Sequence, residues 1–144
     1  MKKILGLVLV AALGIFLSFT NAENDEETKI HFFKGTLAEA QELAKKEGKL
    51  IFMDAYAVWC GPCKMLSARV FTDPEVAKYY NENFINIKVD MEKGEGPNLA
   101  MRYRVNAYPT LLFLNEHGEV KFNHIGFIQA SDLLKLGRQV NKKK

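Results

Sequence analysis

The stretch Leu50-Ile51-Phe52-Met53-Asp54-Ala55-Tyr56-Ala57-Val58-Trp59-Cys60-Gly61-Pro62-Cys63-Lys64 decides how this chain is read. Residues 50–57 are apolar except for Asp54. A run of that kind, without alternation, predicts a central strand buried on both faces. Two cysteines follow at once, and Pro62 suits the first turn of a new helix, which is predicted to run to about residue 70. Thiol–disulfide exchange needs a thiolate attacker, a nearby thiol to resolve the mixed disulfide, and access for a partner disulfide. A cysteine pair three positions apart at a helix start meets the first two needs. The free N–H groups and positive dipole end of the first turn stabilise a thiolate. Cys60, at the edge of the turn, is the expected nucleophile. Cys63, one turn in, is the expected shielded, resolving thiol. Gly61 lets a substrate backbone come close, and Pro62 stiffens the turn.

Other chemistries for this pair are weaker. The chain has only two cysteines. A Cys60–Cys63 bridge closes so short a loop that it removes little entropy from the unfolded chain, so a purely structural disulfide explains little. Structural zinc asks for four ligands, and His31, His117 and His124 are scattered without paired spacing. Covalent haem attachment requires His after the second cysteine, where this chain has Lys64. No metal and no organic cofactor is expected. Asp54 is costly inside an apolar strand unless it is paired or functional. Burial would raise its pKa and fit it to exchange a proton with Cys63 during resolution; a hydrogen-bonded structural role is the alternative. Trp59 packs, or forms part of the docking surface around Cys60. Tyr56, Tyr103 and Tyr108 read as packing residues.

Outward from this stretch, elements alternate. Residues 30–33 are a short expected strand. Thr36 can cap a helix to about Glu47, with Leu37, Ala40, Leu43 and Ala44 at helical spacing and Gly48 after it. Asp73-Pro74 reads as an N-cap and first helical residue before the stripe Val76, Ala77, Tyr80 and Phe84. A strand over 85–89 is followed by the loop Gly94-Glu95-Gly96-Pro97 and a short helix to about Tyr103. Strands over 109–114 and 120–125 flank the turn Asn115-Glu116-His117-Gly118 as a hairpin. A last helix starts at Ala130 or Ser131 and buries Leu133, Leu134 and Leu136. The expectation is an α/β fold: a mixed sheet in three layers, with parallel pairing from the alternating elements and antiparallel pairing from the hairpin.

The 144 residues are 48% hydrophobic and 26% charged, as in a single globular domain. Net charge is +3 with no basic stripe, so no nucleic-acid partner is expected. Lys2 and Lys3, the apolar run 4–19 and Thr20-Asn21-Ala22 form a secretory signal with cleavage expected after Ala22. Retention as a membrane anchor is the alternative, although the run is shorter than the roughly 20 residues a spanning helix needs. The expected organisation is a signal peptide at 1–22, a flexible acidic leader at 23–29, one domain at 30–140 and a basic tail at 141–144. The mature chain is expected outside the cytoplasm as a monomer.

Trp59-Cys60-Gly61-Pro62-Cys63-Lys64 resembles the active site of thioredoxins, and the likeness runs from about residue 30 to 140. The buried carboxylate that thioredoxins carry six residues before the first cysteine corresponds to Asp54. Their cis-proline followed by threonine corresponds to Tyr108-Pro109-Thr110, and the glycine of the next hairpin strand to Gly126. Asp54-Ala55-Tyr56-Ala57-Val58-Trp59-Cys60, Val70-Phe71-Thr72-Asp73-Pro74-Glu75-Val76 and Gly126-Phe127 are closer to the periplasmic thioredoxin-like domain that ends transmembrane thiol–disulfide interchange reductases. The Gly-Pro between the cysteines departs from that subgroup and is the pair found in reducing thioredoxins. Thioredoxins often set a lysine against the buried aspartate; counting along 84–90 puts Asn86 in that slot, with Lys88 two residues on and facing the same side. The resemblance implies a thioredoxin-fold protein-disulfide reductase or exchanger working through a Cys60–Cys63 redox disulfide. Its substrate backbone would lie along Tyr108-Pro109 beside Trp59, Gly61 and Pro62. An upstream electron donor, such as a membrane thiol reductase, is implied as a partner. An oxidase or isomerase of the same fold, or a binding or chaperone module, are the alternatives.

Overall fold

The computed structural model describes residues 28–143; the expected signal segment and most of the leader lie outside them, as does Lys144. Helix α1 (Leu37–Glu47) starts on a capping box. Thr36 Oγ1 accepts from the Glu39 N–H at 3.2 Å, and the Glu39 carboxylate accepts from the Thr36 N–H at 2.7 Å. The helix ends on Gly48 at φ 61°, a left-handed conformation that glycine adopts without a Cβ clash. Strand β1 (Leu50–Tyr56) is buried through Ala55. Helix α2 (Gly61–Met65) passes directly into a π-helical turn (Leu66–Val70), closed by the Phe71 N–H on the Leu66 carbonyl at 2.9 Å. Asp73 Oδ1 then accepts from the N–H groups of Glu75 and Val76 and caps α3 (Pro74–Asn83). Strand β2 (Phe84–Asp90), helix α4 (Gly96–Tyr103), strands β3 (Thr110–Leu114) and β4 (Val120–Ile125), and helix α5 (Ala130–Lys142) complete the order.

The sheet order is β2-β1-β3-β4. β1 pairs parallel with β2, whereas β3 runs antiparallel to both β1 and β4. The alternation of strands and helices therefore gives one parallel pair, the one joined by the crossover through α2 and α3. The period-two alternation of β1 splits the core into two layers. Leu50 and Phe52 face the π-turn, α3 and α5, with Phe84, Leu111 and Phe113 from neighbouring strands. Ile51, Met53 and Ala55 face α1 and α4, with Ile87, Leu112 and Leu114. Asp54 lies on the same face as Phe52, the face that carries the cysteine helix.

Two expectations are corrected. Residues 30–33 form no strand. Their main-chain groups are taken up singly: Ile30 N–H by the Phe71 carbonyl at 2.7 Å, His31 N–H by Asn81 Oδ1 at 2.8 Å, and Phe33 N–H by the Asn86 carbonyl at 2.7 Å. The segment is bound partly by side-chain amides, so no ladder propagates. At the other end, α5 continues through Asn141 and Lys142, which the sequence reading placed in a basic tail. Asn141 Nδ2 donates to Asn83 Oδ1 at 3.1 Å and ties that turn to α3.

Candidate active site

The end of β1 delivers the chain to the site. Main-chain bonds from Cys60 N–H to the Ala57 carbonyl (3.1 Å) and from Lys64 N–H to the Cys60 carbonyl (3.2 Å) turn strand into helix. Cys60 caps α2 in an extended conformation, with Pro62 in the first turn, as the proline position implies. Cys60 and Cys63 are joined as a disulfide with a Cα–Cα distance of 5.3 Å. Both residues are 2% exposed. The expected contrast between an open Cys60 and a shielded Cys63 is therefore not one of burial in the oxidised pair. The asymmetry is in hydrogen bonding. The Cys63 N–H donates to Cys60 Sγ at 3.2 Å, which places an otherwise free helix N–H on the first sulfur.

Around the sulfurs, Trp59 is 64% exposed and Gly61 and Pro62 are open to solvent. A Cβ on Gly61 would meet nothing within 4 Å, so the protein itself imposes no need for glycine there. The Tyr108–Pro109 peptide is cis. Its loop is held by Gly126 N–H on the Pro109 carbonyl (2.8 Å) and by Thr110 Oγ1 on the Ala107 carbonyl (2.8 Å). Tyr108 packs against the cluster of Ala57, Cys60 and Cys63 and meets the Trp59 ring edge-on at 5.8 Å between centroids. The structure thus brings Trp59, Cys60, Cys63 and Tyr108 together, with Gly61 and Pro62 at the exposed rim and Pro109 next to Tyr108. Sequence reasoning did not single out Glu92, whose two carboxylate oxygens accept from Trp59 Nε1 at 3.0 and 3.1 Å and hold the indole in place.

Asp54 is fully buried. Its register partner across the parallel pair is Lys88, not Asn86, and Lys88 Nζ stands 2.9 Å from Asp54 Oδ2. This corrects the count along β2. Asn86 is used elsewhere: its Nδ2 donates to the Tyr80 and His31 carbonyls at 3.3 and 3.4 Å. Burial drives the Asp54 carboxyl above the ordinary carboxylate range; the charge and hydrogen bond of Lys88 pull it back only in part. A groove of about 440 Å³ opens beside Cys63, lined by Tyr56, Val58, Lys64, Ser67, Ala68 and Lys88 among others. Among the described residues no group of three or more His, Cys, Asp or Glu side chains converges as a metal site. His31, His117 and His124 stay apart from the cysteines.

The raised Asp54 pKa carries a stability consequence. Below the unfolded carboxyl's pKa both states are protonated and the ionisation of Asp54 makes no contribution. As pH rises through that value the unfolded chain ionises first, and stability is lost until the folded carboxyl also ionises. Asp54→Asn is therefore expected to gain stability relative to the parent as pH rises from 3 to 7, with the difference smallest toward pH 3. Denaturant titrations at pH 3, 5 and 7 check this; a pH-independent difference would contradict it.

A buried carboxylate behind a helix-capping cysteine pair, faced by a proline loop, is the arrangement of a thiol–disulfide oxidoreductase on a thioredoxin fold. The chain belongs to the thioredoxin-like domain family, whose pattern matches residues 37–141. It is 46% identical to a "putative disulphide-isomerase" from Bacteroides thetaiotaomicron, covering 81% of this chain and 97% of that one, with a TM-score of 0.71. The oxidised C-terminal domain of DsbD from Neisseria meningitidis is 26% identical over 76% of this chain and 97% of that domain, with a TM-score of 0.61. The thiol:disulfide interchange protein DsbD of Actinobacillus pleuropneumoniae is 35% identical over 104 residues, which are 69% of this chain and 18% of that protein. The chain spans less than two thirds of the length of each of the curated relatives compared.

Proposed function

We propose that the chain is an exported protein-disulfide reductase or exchanger. Reduced Cys60 attacks a protein disulfide, and a mixed disulfide forms on Cys60. Cys63 then displaces the reduced partner and closes the Cys60–Cys63 bond. The partner's extended backbone lies along Tyr108-Pro109, flanked by Trp59, Gly61 and Pro62, and Asp54 takes up the Cys63 proton. The observation that carries this reading is the Cys63 N–H directed onto Cys60 Sγ at 3.2 Å, because it favours negative charge on the first sulfur. No metal or organic cofactor enters the cycle: the dithiol itself carries the two electrons. An upstream thiol donor must restore it, and a membrane thiol reductase fits the resemblance to DsbD. Export rests on the signal-like segment 1–22, whose residues lie outside those described. No helix among the described residues is long and apolar enough to cross a membrane.

The test is direction. The reduced protein is expected to reduce insulin disulfides with dithiothreitol as donor, and to equilibrate with glutathione at a potential more reducing than the glutathione couple. A strongly oxidising potential would overturn the reductase reading. An isomerase reading is favoured by the 46% identical relative described above. Faster recovery of scrambled ribonuclease than of reduced ribonuclease would favour it.

A further inference from the structure

Lys88 has more partners than an ion pair requires, and one of them sits on an irregular helical turn. An ammonium has three N–H donors. The Lys88 ammonium lies 2.9 Å from Asp54 Oδ2 and donates to Ser67 Oγ at 2.6 Å. It also lies 4.7 Å from the Tyr56 ring centroid, with the Phe71 and Phe32 rings at 5.5 and 5.7 Å. Its side chain is 24% exposed, at the floor of the groove beside Cys63. Ser67 belongs to the π-turn that follows the cysteine helix. That turn keeps Leu66 and Val70 in the core while Ser67 faces the groove. Such turns recur at functional sites, where the extra residue re-aims a side chain.

We propose that Ser67 is a positioning residue for the resolving step: its hydroxyl, presented by the π-turn, holds the Lys88 ammonium over Asp54 and thereby controls how readily Asp54 accepts the Cys63 proton. The proposal rests on the reading of Asp54 as that acceptor. In the step itself, the Cys63 thiol loses its proton to the Asp54 carboxylate. The new thiolate attacks Cys60 Sγ and the Cys60–Cys63 bond forms. The bond from Cys60 to the partner sulfur breaks, and the partner leaves as a thiolate with the electron pair. The cysteine pair is oxidised and the partner reduced.

The other charged and titratable groups around the ammonium are few. Tyr56 comes from β1, and burial and the nearby Asp90 push its hydroxyl upward, away from the working range. Lys64 lines the groove on the Cys63 side, and Lys29 lines the opening on the other side of Lys88. Both are cations, so neither replaces Ser67 as an acceptor. Without the hydroxyl, the ammonium is free to turn toward either opening. Asp54 then loses part of its counter-charge and ionises at higher pH, leaving less carboxylate at the acid end.

The test uses the reduced protein and 5,5′-dithiobis(2-nitrobenzoate) in stopped flow from pH 6 to 9. The first thionitrobenzoate released reports attack by Cys60; the second reports resolution by Cys63. In Ser67→Ala the second release is expected to slow roughly 3- to 10-fold at pH 6, the size of the net contribution of one ordinary hydrogen bond, because the effect reaches Asp54 only through Lys88, and to converge with the parent at pH 9. Ser67→Thr, which keeps the hydroxyl, is expected to restore the parent profile. A Ser67→Ala profile that overlays the parent, or an equal slowing of both releases at every pH, overturns the proposal. Asp54→Asn separates the two layers. If it flattens the acid limb and Ser67→Ala has no effect, only the role of Ser67 fails. If it leaves the limb intact, the acceptor role of Asp54 fails and the Ser67 proposal falls with it.

Discussion

Cys60→Ser is expected to lower kcat/KM for a protein disulfide by something on the order of 10⁴-fold or more, because a serine hydroxyl is neither ionised nor an effective attacker of sulfur at neutral pH. Cys63→Ala is expected to behave differently. It retains the attacking sulfur and the main-chain N–H that hydrogen-bonds it, since that donor belongs to the backbone of residue 63. The first half of the reaction therefore survives and the second cannot occur. A mixed disulfide on Cys60 should accumulate to near one equivalent, visible by mass spectrometry without reductant. In the envelope, the same variant would identify what the protein acts on. Both cysteine residues are equally buried in the oxidised pair, so residue burial does not predict this division of labour. An adduct mapped to residue 63 in a Cys60→Ser variant, with turnover retained, would reverse the assignment.

The largest stability loss is expected at Phe52. Its ring is fully buried and meets Tyr80, Phe113 and Phe71 at centroid distances of 4.8, 5.3 and 6.1 Å. These partners come from α3, from β3 and from the residue that closes the π-turn, so one side chain ties three elements to the central strand. Phe52→Ala removes those contacts and leaves a cavity that close packing cannot fully collapse. The expected cost is about 3–5 kcal/mol, a large part of the roughly 5–15 kcal/mol that holds an ordinary domain folded. Urea denaturation of parent and variant reads it directly. A loss under about 1 kcal/mol would mean that the aromatic cluster repacks around the gap. Phe52→Leu, which restores much of the volume, should recover most of the loss.

How far this fold was legible follows from which signals are local. Caps and breakers act within a few residues, so Thr36, Gly48, Asp73 and Pro74 mark element ends in the chain as they do in the structure. The run 50–57, apolar but for Asp54, identifies a doubly covered strand because so apolar a stretch is excluded from the surface. Residues 30–33 have enough apolar character to read as a strand. Whether they pair depends on distant groups, and the amides of Asn81 and Asn86 engage their main chain instead. The sense of β3 is equally distant information, since chain order does not say on which side of β1 a strand returns.

The Cys60–Cys63 pair and the acid at Asp54 were legible in the sequence, because residue type and short spacing carry their chemistry; the proline at 109 was legible only through the resemblance to thioredoxins. The tertiary structure decided the company they keep. It aligned Asp54 with Lys88 rather than Asn86, because register between parallel strands is set by whole-sheet packing and not by counting. It placed Glu92 on the Trp59 indole and Ser67 on the Lys88 ammonium. Those contacts join residues 33 and 21 positions apart, and only the folded chain brings such residues within hydrogen-bonding distance.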